Sequence, residues 1–66
     1  MKLNVNNIKI LMAEKGYNQS DLARAADLKP NAISVAFSKE YTSIPTTGKI
    51  AKALGVSVKE IITEED

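Results

Sequence analysis

Apolar positions recur along this chain at helical spacing, in short runs that stop abruptly. The first run predicts a helix over Val5–Lys15. Val5, Ile8, Leu11 and Met12 fall on one face, Asn4 can cap the start, and Gly16 stands where a helix ends in a left-handed turn. A second helix is expected to open at Asn18, whose side chain can cap the backbone while Asp21, three residues on, reaches back as in a capping box. Tyr17, before the cap, can pack onto Leu22. This helix should run to about Ala26 and turn Leu22, Ala23 and Ala26 inward, residues small enough to let another helix approach closely. Pro30 suits the first position of a helix, where its missing N–H is no loss, so a third helix is predicted from Pro30 to about Phe37. Its faces differ: Ile33, Ala36 and Phe37 form an apolar stripe, whereas Asn31, Ser34, Val35 and Ser38 follow i, i+3, i+4, i+7 on the other side, uncharged and flat.

Residues 39–45 have no period and read as a loop rich in hydroxyls (Tyr41, Thr42, Ser43), with Ile44 tucked against the core. A fourth helix is expected after Thr46, carrying Ile50, Ala51 and Leu54 inward until Gly55 ends it. Ser57 and Glu60 have capping-box spacing, flanked by Val56 and Ile61 as a hydrophobic staple, which predicts a fifth helix burying Val58, Ile61 and Ile62 before it frays into the acids of residues 63–66. Sixty-six residues support one small core, so the expectation is a single all-α domain over residues 1–66. Five short helices make a compact globule of crossed helices, not a four-helix bundle, whose helices are longer and more equal.

Composition removes whole classes of chemistry. With no Cys and no His there are no disulfides, no thiolate or imidazole zinc ligands, and no Cys or His catalysis. The three glycines are isolated and form no phosphate-cradling loop, so an enzyme is not expected. Neighbouring acids Glu64, Glu65 and Asp66 lack the fixed geometry of a metal site. No cofactor and no small-molecule ligand is implied. Apolar stretches are only a few residues long and no hydrophobic signal region follows Met1, which predicts a cytoplasmic protein without a membrane span. Any dimer is expected to use surfaces of this same domain.

The net charge of +1 hides an asymmetry. Residues 1–59 hold all nine bases against Glu14, Asp21, Asp27 and Glu40, a net of +5, while the other four acids lie at residue 60 and beyond. A basic body suits a polyanion, although excess lysine alone is more often a solvated surface.

The second and third predicted helices are joined by about three residues, the arrangement of a helix-turn-helix over residues 18–38. The stretch Asn18-Gln19-Ser20-Asp21-Leu22-Ala23-Arg24-Ala25-Ala26-Asp27-Leu28-Lys29-Pro30-Asn31-Ala32-Ile33-Ser34 resembles the Cro and phage-repressor (XRE-type) helix-turn-helix family, which has a Gln opening its second helix, Leu-Ala within it, a turn, and an Ile in its third. Lys49-Ile50-Ala51-Lys52-Ala53-Leu54-Gly55-Val56-Ser57-Val58-Lys59-Glu60-Ile61-Ile62 is similar to the family's fourth and fifth helices. The resemblance implies a lambda-repressor-like five-helix fold and a transcriptional repressor that binds duplex DNA with its third helix in the major groove. It also implies a homodimer on a near-palindromic operator. Two departures stand out. Asp27 occupies the turn position where the family usually has Gly, a change expected to be tolerated because Asp accepts the left-handed conformation better than most residues, and Pro30 and Asn31 stand where it often carries Arg or Gln.

Within that frame Gln19 is expected to bond a phosphate, Asn31 and Ser34 to face base edges, Val35 to meet a thymine methyl, and Ser38, on the same stripe, to belong to the DNA-binding set. Lys29 and Lys39 bracket the third helix where phosphates would run, and Tyr41, Thr42 and Ser43 offer hydroxyls to the backbone. The plain alternatives are a solvated helix face, helix-end lysines serving solubility, and an ordinary polar loop. The acidic end is expected on the side away from DNA, and Ile62 to pack against a second copy. A rival reading keeps the fold and changes the role: with no Arg on the third helix, the domain could serve as a protein-interaction module, such as an antirepressor or regulatory subunit, with weak DNA affinity.

Overall fold

The structure is a computed structural model that describes residues 1–63. Four α-helices follow one another, α1 (Val5–Lys15), α2 (Gln19–Ala25), α3 (Pro30–Lys39) and α4 (Ile44–Leu54), and a single 3-10 turn, Val58–Glu60, comes after them. Each begins for a local reason. Asn4 accepts from the Asn7 N–H, Asn18 and Asp21 make both bonds of a capping box, and Ser43 accepts from the Thr46 N–H. No side chain caps α3, which starts at Pro30 behind an extended Lys29.

All four α-helices end the same way. A left-handed residue follows each one: Gly16 (φ 73°), Asp27 (φ 59°), Glu40 (φ 57°) and Gly55 (φ 72°). The next N–H then reaches back over the last turn, from Tyr17 to the Met12 carbonyl, Leu28 to Ala23, Tyr41 to Ala36 and Val56 to Ala51. This is the Schellman closure, which satisfies carbonyls that the helix leaves without partners. Asp27 thus adopts the conformation expected of it, and Glu40 joins it. Of the four residues that follow these turns, Tyr17, Leu28 and Val56 pack on the core, whereas Tyr41 is 60% exposed.

Leu22 and Ala23 of α2, Ile33, Ala36 and Phe37 of α3, and Ile50, Ala51 and Leu54 of α4 meet Ile8 and Met12 of α1 in one buried cluster. Ala26 is buried where the chain leaves α2. Thr47 is fully buried without penalty, because its hydroxyl donates to the Ser43 carbonyl at 2.8 Å.

Several expectations need correction. The predicted fifth helix is only the 3-10 turn: Ser57 accepts from the Lys59 N–H instead of closing a capping box with Glu60. The carbonyls of Glu60 and Ile61 are taken by the Asn7 side chain and the Asn4 N–H, so the chain straightens where a helix would have continued. Ile61 is buried, and Val58 and Ile62 are half-buried against the core. α3 runs two residues further, to Lys39. α4 starts earlier, at Ile44, because a proline in the first turn removes only an N–H that has no helical partner. Ile44 itself is 72% exposed, not tucked inward. The expected acidic end falls largely on Glu64, Glu65 and Asp66, which lie outside the described residues.

The N-terminal segment has no helical signal, yet it forms the middle of a three-segment ladder. Lys2 bridges antiparallel to Tyr41 and Leu3 to Ile62. The Leu3 N–H donates to Glu40, Asn4 to Ile61, Thr42 to Met1 and Thr63 to Lys2. Leu3 is 2% exposed and belongs to the core. Leu3→Ala is therefore expected to lower the unfolding free energy by about 2–5 kcal/mol, as measured by urea titration. Glu40→Gly should raise it by roughly 0.5–1 kcal/mol, since glycine takes the left-handed region without the side-chain clash; an unchanged midpoint would show Glu40 to be unstrained.

Candidate nucleic-acid interface

α2 and α3 pack closely because the contacting side chains on α2 are Leu22 and Ala23, and the Asp27 turn reverses the chain over Leu28 and Lys29. With Ile33, Ala36 and Phe37 committed to the core, helical geometry leaves the opposite face of α3 to solvent. Asn31, Ser34, Val35 and Ser38 are all exposed there, Val35 at 43%. None of the three polar side chains is hydrogen-bonded within the described residues, so each is free to meet a partner. Lys29 stands just before α3 and Lys39 is its last residue; both are exposed, with no carboxylate in ion-pair contact among the described residues. Gln19 is exposed as the first residue of α2.

The loop after α3 is less free than its polarity implies. Thr42 is half-buried, and its N–H and carbonyl both pair with Met1, at 3.1 and 2.6 Å. Ser43 is exposed, but its hydroxyl oxygen accepts from the Thr46 N–H and its proton goes to the Thr46 hydroxyl at 3.1 Å. Two exposed apolar side chains, Tyr41 and Ile44, flank these residues. Sequence reasoning assigned neither an apolar surface role; the one signal for Ile44 was Pro45, which admits a helix start before it.

Charge is disposed to leave α3 flat. Arg24 on α2 is drawn to Asp21 at 3.3 Å, and Lys2 to Glu40 at 3.7 Å, both on the surface. The face of α3 between Lys29 and Lys39 carries no charge at all.

The family model for the Cro/C1-type HTH DNA-binding domain matches residues 7–66. The chain belongs to this family. Comparison with curated proteins and with solved structures returns no match. Membership makes this Cro/C1-type chain a DNA-binding helix-turn-helix protein of an all-helical, generally non-enzymatic family, and it agrees with the α2–α3 unit described above. No helix among the described residues is long and apolar enough to cross a membrane.

The double engagement of Ser43 separates it from Thr42. Ser43→Ala should lower stability by about 1 kcal/mol in the absence of DNA, the usual cost of losing an N-cap. Thr42→Ala, whose pairing is through the backbone, should stay within roughly 0.5 kcal/mol. Chemical denaturation of both variants checks this, and equal losses would contradict the capping role.

Proposed function

We propose that this Cro/C1-type protein is a transcriptional repressor that lays α3 in the major groove of duplex DNA, with α2 across the phosphate backbone. The observation that carries the reading is the exposed face of α3: three polar side chains and one apolar one at helical spacing, bracketed by two lysines, all of them without a side-chain partner among the described residues. Asn31 has the amide to bond adenine at N6 and N7, Ser34 and Ser38 bond either donors or acceptors, and Val35 fits a thymine methyl. Lys29, Lys39, Gln19, Thr42 and Ser43 hold the backbone and carry no sequence information. Repression needs nothing beyond occupancy of the operator, and the protein acts in the cytoplasm, where such DNA lies.

Dimensions support a homodimer. The protein measures 31 × 22 × 18 Å, while successive major grooves on one side of a duplex lie about 34 Å apart, so one copy with one recognition helix reads one half-site. The reading is therefore of two copies on a near-palindromic operator. Tyr41 and Ile62 line one shallow depression with Met1, and we assign the dimer contact to this face.

Selection of bound sequences from random DNA tests the reading. Enrichment of paired half-sites is expected; no enrichment would favour a protein-interaction module of the same fold, for which the lack of Arg on α3 and the exposed Tyr41 and Ile44 speak. Affinity should fall with salt at a slope of about −0.9 per phosphate neutralised. Lys29→Ala should weaken binding to all sequences alike and reduce that slope by about one. Asn31→Ala should relax preference at one base pair at a cost of about 1–3 kcal/mol. A uniform effect of Asn31→Ala would remove it from the base-reading set. For the dimer, sedimentation alongside circular dichroism should show Ile62→Lys folded but monomeric, whereas Ile61→Lys, fully buried, unfolds. A folded Ile62→Lys variant with unchanged mass and operator affinity would refute this face.

A further inference from the structure

The loop that joins α3 to α4 is closed onto α3 through Glu40 and Tyr41 and onto α4 through Ser43, which leaves Thr42 as the residue without a local partner. It is anchored from the far end of the sequence. The Leu3 N–H donates to the Glu40 carbonyl at 2.9 Å and the Thr42 N–H to the Met1 carbonyl at 3.1 Å, the two bonds that flank an antiparallel Lys2–Tyr41 pair. On its other edge the same segment is held by Asn4 N–H to Ile61 and Thr63 N–H to Lys2. Leu3, fully buried, pins the segment to the core, and Lys2 adds a surface ion pair with Glu40.

We propose that residues 1–4 are a positioning strap: they hold the α3–α4 loop at the height from which its hydroxyls meet phosphates. The proposal rests on the reading of that loop as a DNA contact. Its physical basis is the cost of ordering. A loop that must be fixed on binding loses conformational freedom at that moment, whereas a loop already paired along one edge has lost it on folding, and the saving appears as affinity. Because phosphate contacts carry no sequence information, the strap should set how tightly the protein binds and leave base preference untouched.

Two variants test this. The first is a chain beginning at Leu3, which keeps the buried side chain but lacks the Met1 and Lys2 carbonyls. The second is Lys2→Cys with Tyr41→Cys. Directly opposed residues of this kind of antiparallel pair lie about 4.5 Å apart at Cα, within the range a disulfide spans. Both positions are exposed and the chain has no cysteine of its own, so an oxidised species that keeps the single-chain mass on non-reducing electrophoresis carries this bond alone. Because Met1 and Tyr41 also line the face assigned to the dimer contact, binding to a selected operator and to random duplex is measured at a temperature where circular dichroism shows each variant folded and at a concentration where sedimentation shows the mass of the full chain, together with hydrogen exchange at the Thr42 amide.

The shortened chain should bind both duplexes about tenfold more weakly, with their ratio unchanged and Thr42 exchange accelerated, because a few contacts each of modest net value are lost. The disulfide variant should bind more tightly oxidised than reduced, by about threefold. A folded shortened chain that binds like the full chain overturns the proposal, as does an oxidised form that binds no better than the reduced one, since the loop would then have to leave the strap to meet DNA. If the shortened chain does not fold, the disulfide comparison decides alone. If the full chain binds no duplex, the DNA reading fails and the positioning role with it; equal binding by full and shortened chains defeats only the strap.

Discussion

A chain this short that folds into four helices must reverse direction within two or three residues after each one, and the left-handed residue that does so governs everything downstream. At Gly16 and Gly55 the reversal is sterically free. At Asp27 and Glu40 an L side chain is carried through the same backbone region, at a cost of about 1 kcal/mol each, offset by carbonyl bonds that close the preceding helix. Asp27 matters most. It fixes the phase at which α3 starts, and therefore which residues of α3 turn to Leu22 and Ala23 and which are left outside. Were the turn one residue longer, the helix would rotate by about 100° and present a different face.

The outer face of α3 is thus a by-product of core packing that can hold polar residues without loss to the core. Ile33, Ala36 and Phe37 saturate the inner side, so Asn31, Ser34, Val35 and Ser38 are released from any structural duty. Ser43 is the contrary case. Its oxygen and proton are both spent on starting α4, and whatever it does at a phosphate must be done by a group already oriented by that cap. Orientation by capping is a gain in rigidity and a loss in adaptability.

What could be read from the sequence was whatever has a local cause. The starts of α1 and α2, the ends at Gly16 and Gly55, the left-handed Asp27 and the two faces of α3 each rest on a few neighbouring residues, and each is present in the structure. What escaped depends on partners distant in sequence. Ser57 and Glu60 have the spacing of a capping box, but the local pattern does not reveal that Asn7 and Asn4 take the carbonyls nearby and end the turn. Leu3 sits in an extended stretch too short to show a period, so its burial against residues 61 and 62 was invisible. The apolar character of Ile44 suggests a core position, but its exposure follows from a helix that begins one residue before Pro45.

The ladder through Lys2 and Leu3 also bears on the order in which the chain acquires its structure. The Schellman turns and the α2–α3 pair join residues close in sequence, whereas Met1 and Thr42 are 41 residues apart and Asn7 and Glu60 are 53 apart. Closing a chain of that length carries an entropy cost of about 3 kcal/mol, recovered only after the intervening helices have assembled. That cost favours assembly of the α2–α3 pair ahead of the ends, which are tied in by a segment of a few residues. The same seam is where unfolding is expected to start, and the segment it would release first is the loop after α3.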